Sequence, residues 1–272
     1  MAITKVLISV TTYPLPSRSY DELVCTGGFL ENGKWIRIYP VPFKFLSFKK
    51  YQWIELDLKK PRTVDFRPES HSPVYPDLSD MKILGEIGTK YEWEERKKYA
   101  LKEVFDKMDD LLALSKDPTN KSLATFKPTK IVDFIIEEDD REWKRDWIEQ
   151  LKQIDLFTSH DKENLAPRIP IQKVPYKFKY HLVDANGKVS KMMIEDWEIG
   201  ALYWNCLKRA EGNETIALEK VRQKYFDELA KTKDLYLFLG TTAEWHRRRA
   251  NNPFVIIGVF YPSKIVQTRF EF

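Results

Sequence analysis

The sequence predicts an α+β protein built from two small antiparallel β-barrel halves with helical insertions. Three observations lead there. Four strand-like runs, bounded by turn residues, fall within the first 60 positions. Two Asn-Gly turns, Asn32-Gly33 and Asn186-Gly187, each sit between apolar runs, which is a strong short-range hairpin signal. Helical periodicity then follows the hairpins in both halves. Residues 1–160 are expected to form the first barrel-like domain and residues 176–272 the second, with a Pro-rich linker over residues 161–175.

Lys5 to Tyr13 is rich in β-branched residues and stops at Pro14. Leu23 to Phe29 and Lys34 to Tyr39 flank the first Asn-Gly turn. Gln52 to Leu58 alternates Trp53, Glu55 and Asp57 on one side with Ile54, Leu56 and Leu58 on the other, a half-buried strand. Thr63 to Pro76 reads as irregular loop. Glu92 to Leu112 is predicted as one helix, since Leu101, Val104, Phe105, Met108, Leu111 and Leu112 recur at helical spacing. Ile131 to Ile136 is a short strand, and a helix opening at Asp139-Asp140 would carry Trp143, Trp147, Leu151 and Ile154. Beyond the linker come a hairpin (Tyr176 to Val183, Lys188 to Ile194) and two helices (Asp196 to Leu207, Glu214 to Ala230). Two fully buried strands (Leu235 to Leu239, Phe254 to Tyr261) end the chain.

Composition narrows function more by exclusion. With 45 Lys+Arg against 41 Asp+Glu the net charge of +4 is too mild for a polycation, so any basic surface is local. Cys25 and Cys206 stand too far apart in sequence to suggest a disulfide framework, and with the opening strand they point to a reducing cytoplasm. No run approaches the roughly 18 apolar residues of a membrane span, so no membrane partner is expected. Gly-Lys-Ser/Thr, dinucleotide glycine spacings and Gly-x-Ser-x-Gly are absent, so no cofactor is expected. The histidines His71, His160, His181 and His246 include no i,i+4 pair, which argues against a local zinc motif.

The stretch Gly33 to Phe43 is the most informative piece. Trp35, Arg37 and Tyr39 share one strand face while Ile36 and Ile38 take the other. Two aromatics flanking an arginine suit base stacking and phosphate contact; equally, Trp35 and Tyr39 could pack beneath helices with Arg37 solvated between them. Lys44, Arg62 and Arg67 extend the candidate set in this half. In the other half, His246-Arg247-Arg248-Arg249 follows Trp245 between two buried strands, a phosphate-contacting loop or a solvated one. Glu55, Asp57 and Lys59 on one strand face, with Asp65 and Glu69 near in sequence, provide an enzymatic alternative, a metal-dependent nuclease. A protein-protein adaptor is the third reading.

Lys5 to Gly28 (KVLISVTTYPLPSRSYDELVCTGG), Gly33 to Phe43 (GKWIRIYPVPF) and Asn252 to Pro262 (NPFVIIGVFYP) carry a resemblance. At these segments the chain resembles a bacterial family with two OB-like barrels, the dual-OB proteins. The resemblance implies OB-like halves and nucleic-acid recognition, DNA or RNA, inside a prokaryotic defence system, with chemistry supplied by an effector protein. It brings no active-site residues with it. The reading is therefore a nucleic-acid-binding protein that works through Trp35, Arg37, Tyr39, Lys44, Arg62, Arg67, His246, Arg247, Arg248 and Arg249.

Overall fold

The structure, a computed structural model, describes residues 2–17, 22–61, 65–144 and 171–264. Arg62, His160, Trp147, Leu151, Ile154 and residues 161–170 of the expected linker lie outside them.

Strands β1 (Ala2–Thr11), β2 (Glu22–Phe29), β3 (Trp35–Pro42), β4 (Gln52–Lys59) and β5 (Ser70–Pro73) make the first barrel. Antiparallel pairs β1–β2, β2–β3, β5–β4 and β4–β1, with a parallel β3–β5 pair, close the ring in the order β1-β2-β3-β5-β4. That is the five-stranded OB-like arrangement. Strand alternation fills its interior with Val6, Ile8, Val24, Ile36, Ile38, Ile54, Leu56 and Leu58. β6 (Lys82–Glu86) extends the sheet from β4. The closing strand β5 falls inside the expected Thr63 to Pro76 loop. Its sequence, Ser-His-Ser-Pro, carries no apolar alternation, and it is held by Arg37↔Ser70 pairing with β3.

The predicted helix from Glu92 to Leu112 is two: α1 (Lys90–Ala100) and α2 (Met108–Leu114). They part because Val104 and Phe105, one β-branched and one aromatic, pair in parallel with Thr125 and Phe126. Beyond them β7 (Leu123–Phe126), β8 (Lys130–Glu138), β9 (Tyr176–Val183), β10 (Val189–Met193), β11 (Tyr236–Thr241) and β12 (Phe254–Phe260) lie in two sheets that make up the second, barrel-like half. β8 pairs with β9, β9 with β10, β12 with β11, and β11 with β7. A parallel bridge from Ile194 to Ile256 joins the end of β10 to β12. With β7 and β8 taken as one bent strand, this repeats the order of the first barrel. Between β10 and β11 run α3 (Trp197–Arg209) and α4 (Glu214–Arg222), the latter continuing in π-helical turns over Gln223–Ala230. Asp196 and Asn213 cap them by accepting from Glu198 N and Ile216 N. β8 and β9 pair from Lys130↔Val183 to Glu138↔Tyr176 with a bulge at Val132, so the chain segment that contains the expected linker connects two neighbouring strands. Of the helix expected from Asp139, the described residues Asp139 to Lys144 are not helical.

A third core joins the barrels: Leu7, Val10, Phe29, Trp35 and Tyr51 from the first meet Leu123, Phe238, Ile257 and Phe260 from the second. Close approach needs small residues here. A Cβ on Gly258 would lie 2.5 Å from the Val10 side chain, and one on Gly200 would lie 2.3 Å from the Tyr13 ring. Among the described residues no helix is long and apolar enough to cross a membrane.

Candidate functional site

Trp35, Arg37 and Tyr39 do share the outward face of β3, but the second barrel covers most of that face. Trp35 packs in the joint core against Phe29 at 4.1 Å and Phe238 at 5.1 Å between ring centroids. Its indole is therefore closed to a stacking base, which corrects the expectation of an open platform. Arg37 is only 2% exposed. Its guanidinium donates to Ser122 Oγ (2.6 Å) and Ser122 O (3.0 Å), with longer contacts to Ser70 Oγ (3.4 Å) and Thr241 O (3.5 Å). Tyr39, at the far end of the strand, is 44% exposed.

Around Arg37 a buried polar network stitches the barrels together. Arg67 grips both oxygens of Asp65 at 2.7 Å each and donates Nη1 to Thr241 O at 2.8 Å. Glu69 accepts from Ser122 N (3.1 Å) and Ser122 Oγ (2.7 Å). His246 Nε2 donates to Ser115 O at 2.5 Å, which leaves Nδ1 to accept from Thr241 Oγ1 at 2.9 Å. Burial, with Arg67 and Arg37 nearby, lowers the His246 pKa, so the ring is neutral and that tautomer is consistent. Burial alone would raise the Asp65 carboxyl, but the hydrogen bonds from Arg67 and Ser70 hold it at about 2. Two guanidinium groups thus face two carboxylates, and the cluster is internally neutral. Arg37, Arg67 and His246 do converge, as a structural seam rather than as phosphate contacts.

What reaches solvent lies at the mouth of this seam. Thr242 caps α5 (Ala243–Arg247) by accepting from Trp245 N. That helix buries His246 and leaves Trp245 50% exposed. Phe66, beside Arg67, stacks edge-on to His246 at 4.9 Å and is itself 39% exposed. Arg247, Arg248 and Arg249 are exposed. Arg248 lies 5.7 Å over the Trp245 ring and 2.8 Å from Glu244, and Arg249, with φ of 52°, lies 3.6 Å from Asp117. Tyr39 follows Arg37 by two residues on the same face of β3, at the edge of the seam, and burial raises its hydroxyl pKa. Lys44 is exposed, 5.2 Å over the ring of Phe45 in the turn after β3. Arg62 is outside the described residues. Phe66 and Trp245 were not in the predicted nucleic-acid-binding set, and Asp65 and Glu69 entered the sequence reading only as possible metal ligands of the nuclease alternative; the Asp-x-Arg spacing of Asp65 and Arg67 is the one local signal of their pairing.

The strand carboxylates point elsewhere. Glu55 is 3.9 Å from Lys82, Asp57 N donates to Asp80, and Lys59 contacts Val74 O at 3.5 Å. Among the described residues no three His, Cys, Asp or Glu side chains gather as metal ligands would. Cys25 and Cys206 are free and half-buried.

Residues 86–271 match the family model described as Domain of unknown function (DUF8757). The chain belongs to the DUF8757 family. A second model, Domain of unknown function (DUF8758), matches residues 2–102. No curated protein matches the chain. The DUF8757 match starts at Glu86, the last residue of β6, and takes in the whole described second barrel, while the DUF8758 match spans the first barrel. The shared residues, 86–102, include α1. There Trp93 packs on Phe260 of the DUF8757 barrel at 5.3 Å, and Arg96 lies 3.8 Å over Tyr51 of the first.

Proposed function

We propose that the protein binds nucleic acid at the mouth of the seam between its barrels, with Tyr39, Phe66 and Trp245 offering ring faces and Arg247, Arg248 and Arg249 meeting phosphates. One observation carries the reading. The exposed Phe66 ring and the exposed Trp245 and arginine run, from segments some 180 positions apart, come together beside the buried network. Single-strand binding needs that combination, stacking surfaces interleaved with cations. The ion pairs of Arg248 with Glu244 and Arg249 with Asp117 do not oppose it. With these side chains more than half exposed, such pairs contribute about 0–1 kcal/mol and yield to a phosphate. The resemblance to dual-OB proteins extends the reading to a recognition component of a prokaryotic defence system that acts with an effector protein.

The test is a salt-titrated binding measurement on a panel of single- and double-stranded DNA and RNA. Replacing Arg247, Arg248 and Arg249 together by Ala should flatten log Kd against log salt by about 2–3 units. Trp245→Ala should weaken single-strand binding by about 1–3 kcal/mol. An unaltered slope and affinity in the triple variant would remove the assignment.

A further inference from the structure

On another part of the inter-barrel boundary lies a cavity of about 560 Å³. Its walls come from three places: Ile8, Val10 and Thr11 of β1, the β3–β4 connection from Phe43 to Lys50, and the start of α3 at Asp196, Trp197 and Glu198. The size and the mainly apolar lining are those of small-ligand sites. Phe43 and Trp197 lie 5.0 Å apart between ring centroids, forming an aromatic wall.

Asp196 is the unusual member. It is 2% exposed, and its Oδ1 accepts from Glu198 N to cap α3, yet its other oxygen, Oδ2, has no hydrogen-bond partner. A buried carboxylate oxygen without a partner is costly, and in a residue that lines a cavity it marks where a donor belongs. Lys50 does not fill the place in this structure: its ammonium donates to Glu198 Oε2 at 2.7 Å and Val259 O at 3.5 Å. The same ammonium, with Lys49 also on the lining, disfavours a cationic ligand. An acceptor beside aromatic walls, with a positive rim, fits a flat neutral heterocycle that donates N–H and carries an anionic tail.

We infer that this cavity receives a single nucleobase with an amine edge (cytosine, adenine or guanine), its N–H donated to Asp196 Oδ2, its ring against Trp197 and Phe43, and its phosphate at Lys49. The ligand class rests on the nucleic-acid reading above; the site does not involve the arginine run. Burial and the neighbouring Glu198 raise the Asp196 carboxyl against the pull of Lys50, so the assay is run at pH 8.5 to favour the ionised form.

The experiment titrates cytidine, adenosine, guanosine and uridine into the full chain, read by calorimetry and indole fluorescence, with wild type, Asp196→Asn and Trp197→Ala. Asparagine caps helices as well as aspartate, so Asp196→Asn keeps the fold while replacing the inward acceptor by a donor. Amine-bearing nucleosides should bind wild type at least tenfold tighter than uridine. Asp196→Asn should lose at least tenfold for them and shift preference toward uridine, and Trp197→Ala should weaken all of them. Equal binding of the four nucleosides, no saturable binding, or an Asp196→Asn variant with wild-type preference overturns the inference. Nucleosides that fail while oligonucleotides still bind with a steep salt slope would sink this site alone. Saturable nucleoside binding without salt-dependent oligonucleotide binding would sink the arginine surface alone.

Discussion

Arg37→Met tests whether the buried network holds the two barrels together. The side chain is almost wholly enclosed, so methionine fills similar space and the change isolates the fork. Two good charge-assisted hydrogen bonds are lost, to Ser122 Oγ at 2.6 Å and to Ser122 O at 3.0 Å. Each such bond contributes about 1.5–3 kcal/mol, and relief of the guanidinium's own dehydration offsets part of the sum. Thr241 O keeps its shorter bond from Arg67 at 2.8 Å, so it adds little. Glu69, in contrast, keeps Ser122 as a donor but loses the neighbouring cation. The net expectation is a loss of about 3 kcal/mol, or roughly 6–10 °C in Tm for a chain of this size. Arg37→Lys keeps the charge but not the planar fork and should lose about half as much. Urea unfolding followed by indole fluorescence measures both. Because the joint core and the network are shared, one cooperative transition with unchanged m is expected. A loss under 1 kcal/mol, or two separated transitions in wild type, would refute the reasoning.

Acid should expose the Asp65–Arg67 pair. The Asp65 carboxyl is depressed from 3.8 to about 2 in the folded protein, so its contribution is present above pH 3.8 and disappears as pH falls toward 2. Asp65→Asn should remove about 2 kcal/mol of stability at pH 7 and flatten the pH dependence in that window; parallel wild-type and variant curves would argue against it. Gly200→Ala sets helix propensity against packing. Propensity alone would add about 1 kcal/mol, but the new methyl meets a Tyr13 ring pinned by Trp204 Nε1 (2.9 Å) and Gln172 O (2.6 Å). Overpacking should win, with a net loss of about 1–3 kcal/mol by thermal denaturation, and a gain in Tm would contradict the contact. Trp35→Ala should cost about 3–5 kcal/mol as a core truncation, and single-strand affinity should change less than it does in Trp245→Ala.

Much of the fold was legible in the residues because its signals are local. The alternation in Gln52 to Leu58, the Asn-Gly hairpins and the aspartate that opens α3 each depend on neighbours a few positions away. The strand β5 was not legible, since Ser-His-Ser-Pro has no apolar period and is held by pairing with β3. The same limit governed the site. Spacing placed Trp35, Arg37 and Tyr39 on one face, which the pleat alone dictates. Whether that face met water depended on Ser122 and Thr241, 85 and 204 positions further along the chain. By itself the sequence determined which side chains stand together on each strand and where α3 and α4 begin. Only the tertiary structure decided that Trp35, Arg37 and His246 are sealed between two barrels while Tyr39, Phe66, Trp245 and the arginine run stay at the rim, because burial is set by what packs opposite, and no local pattern encodes the partner.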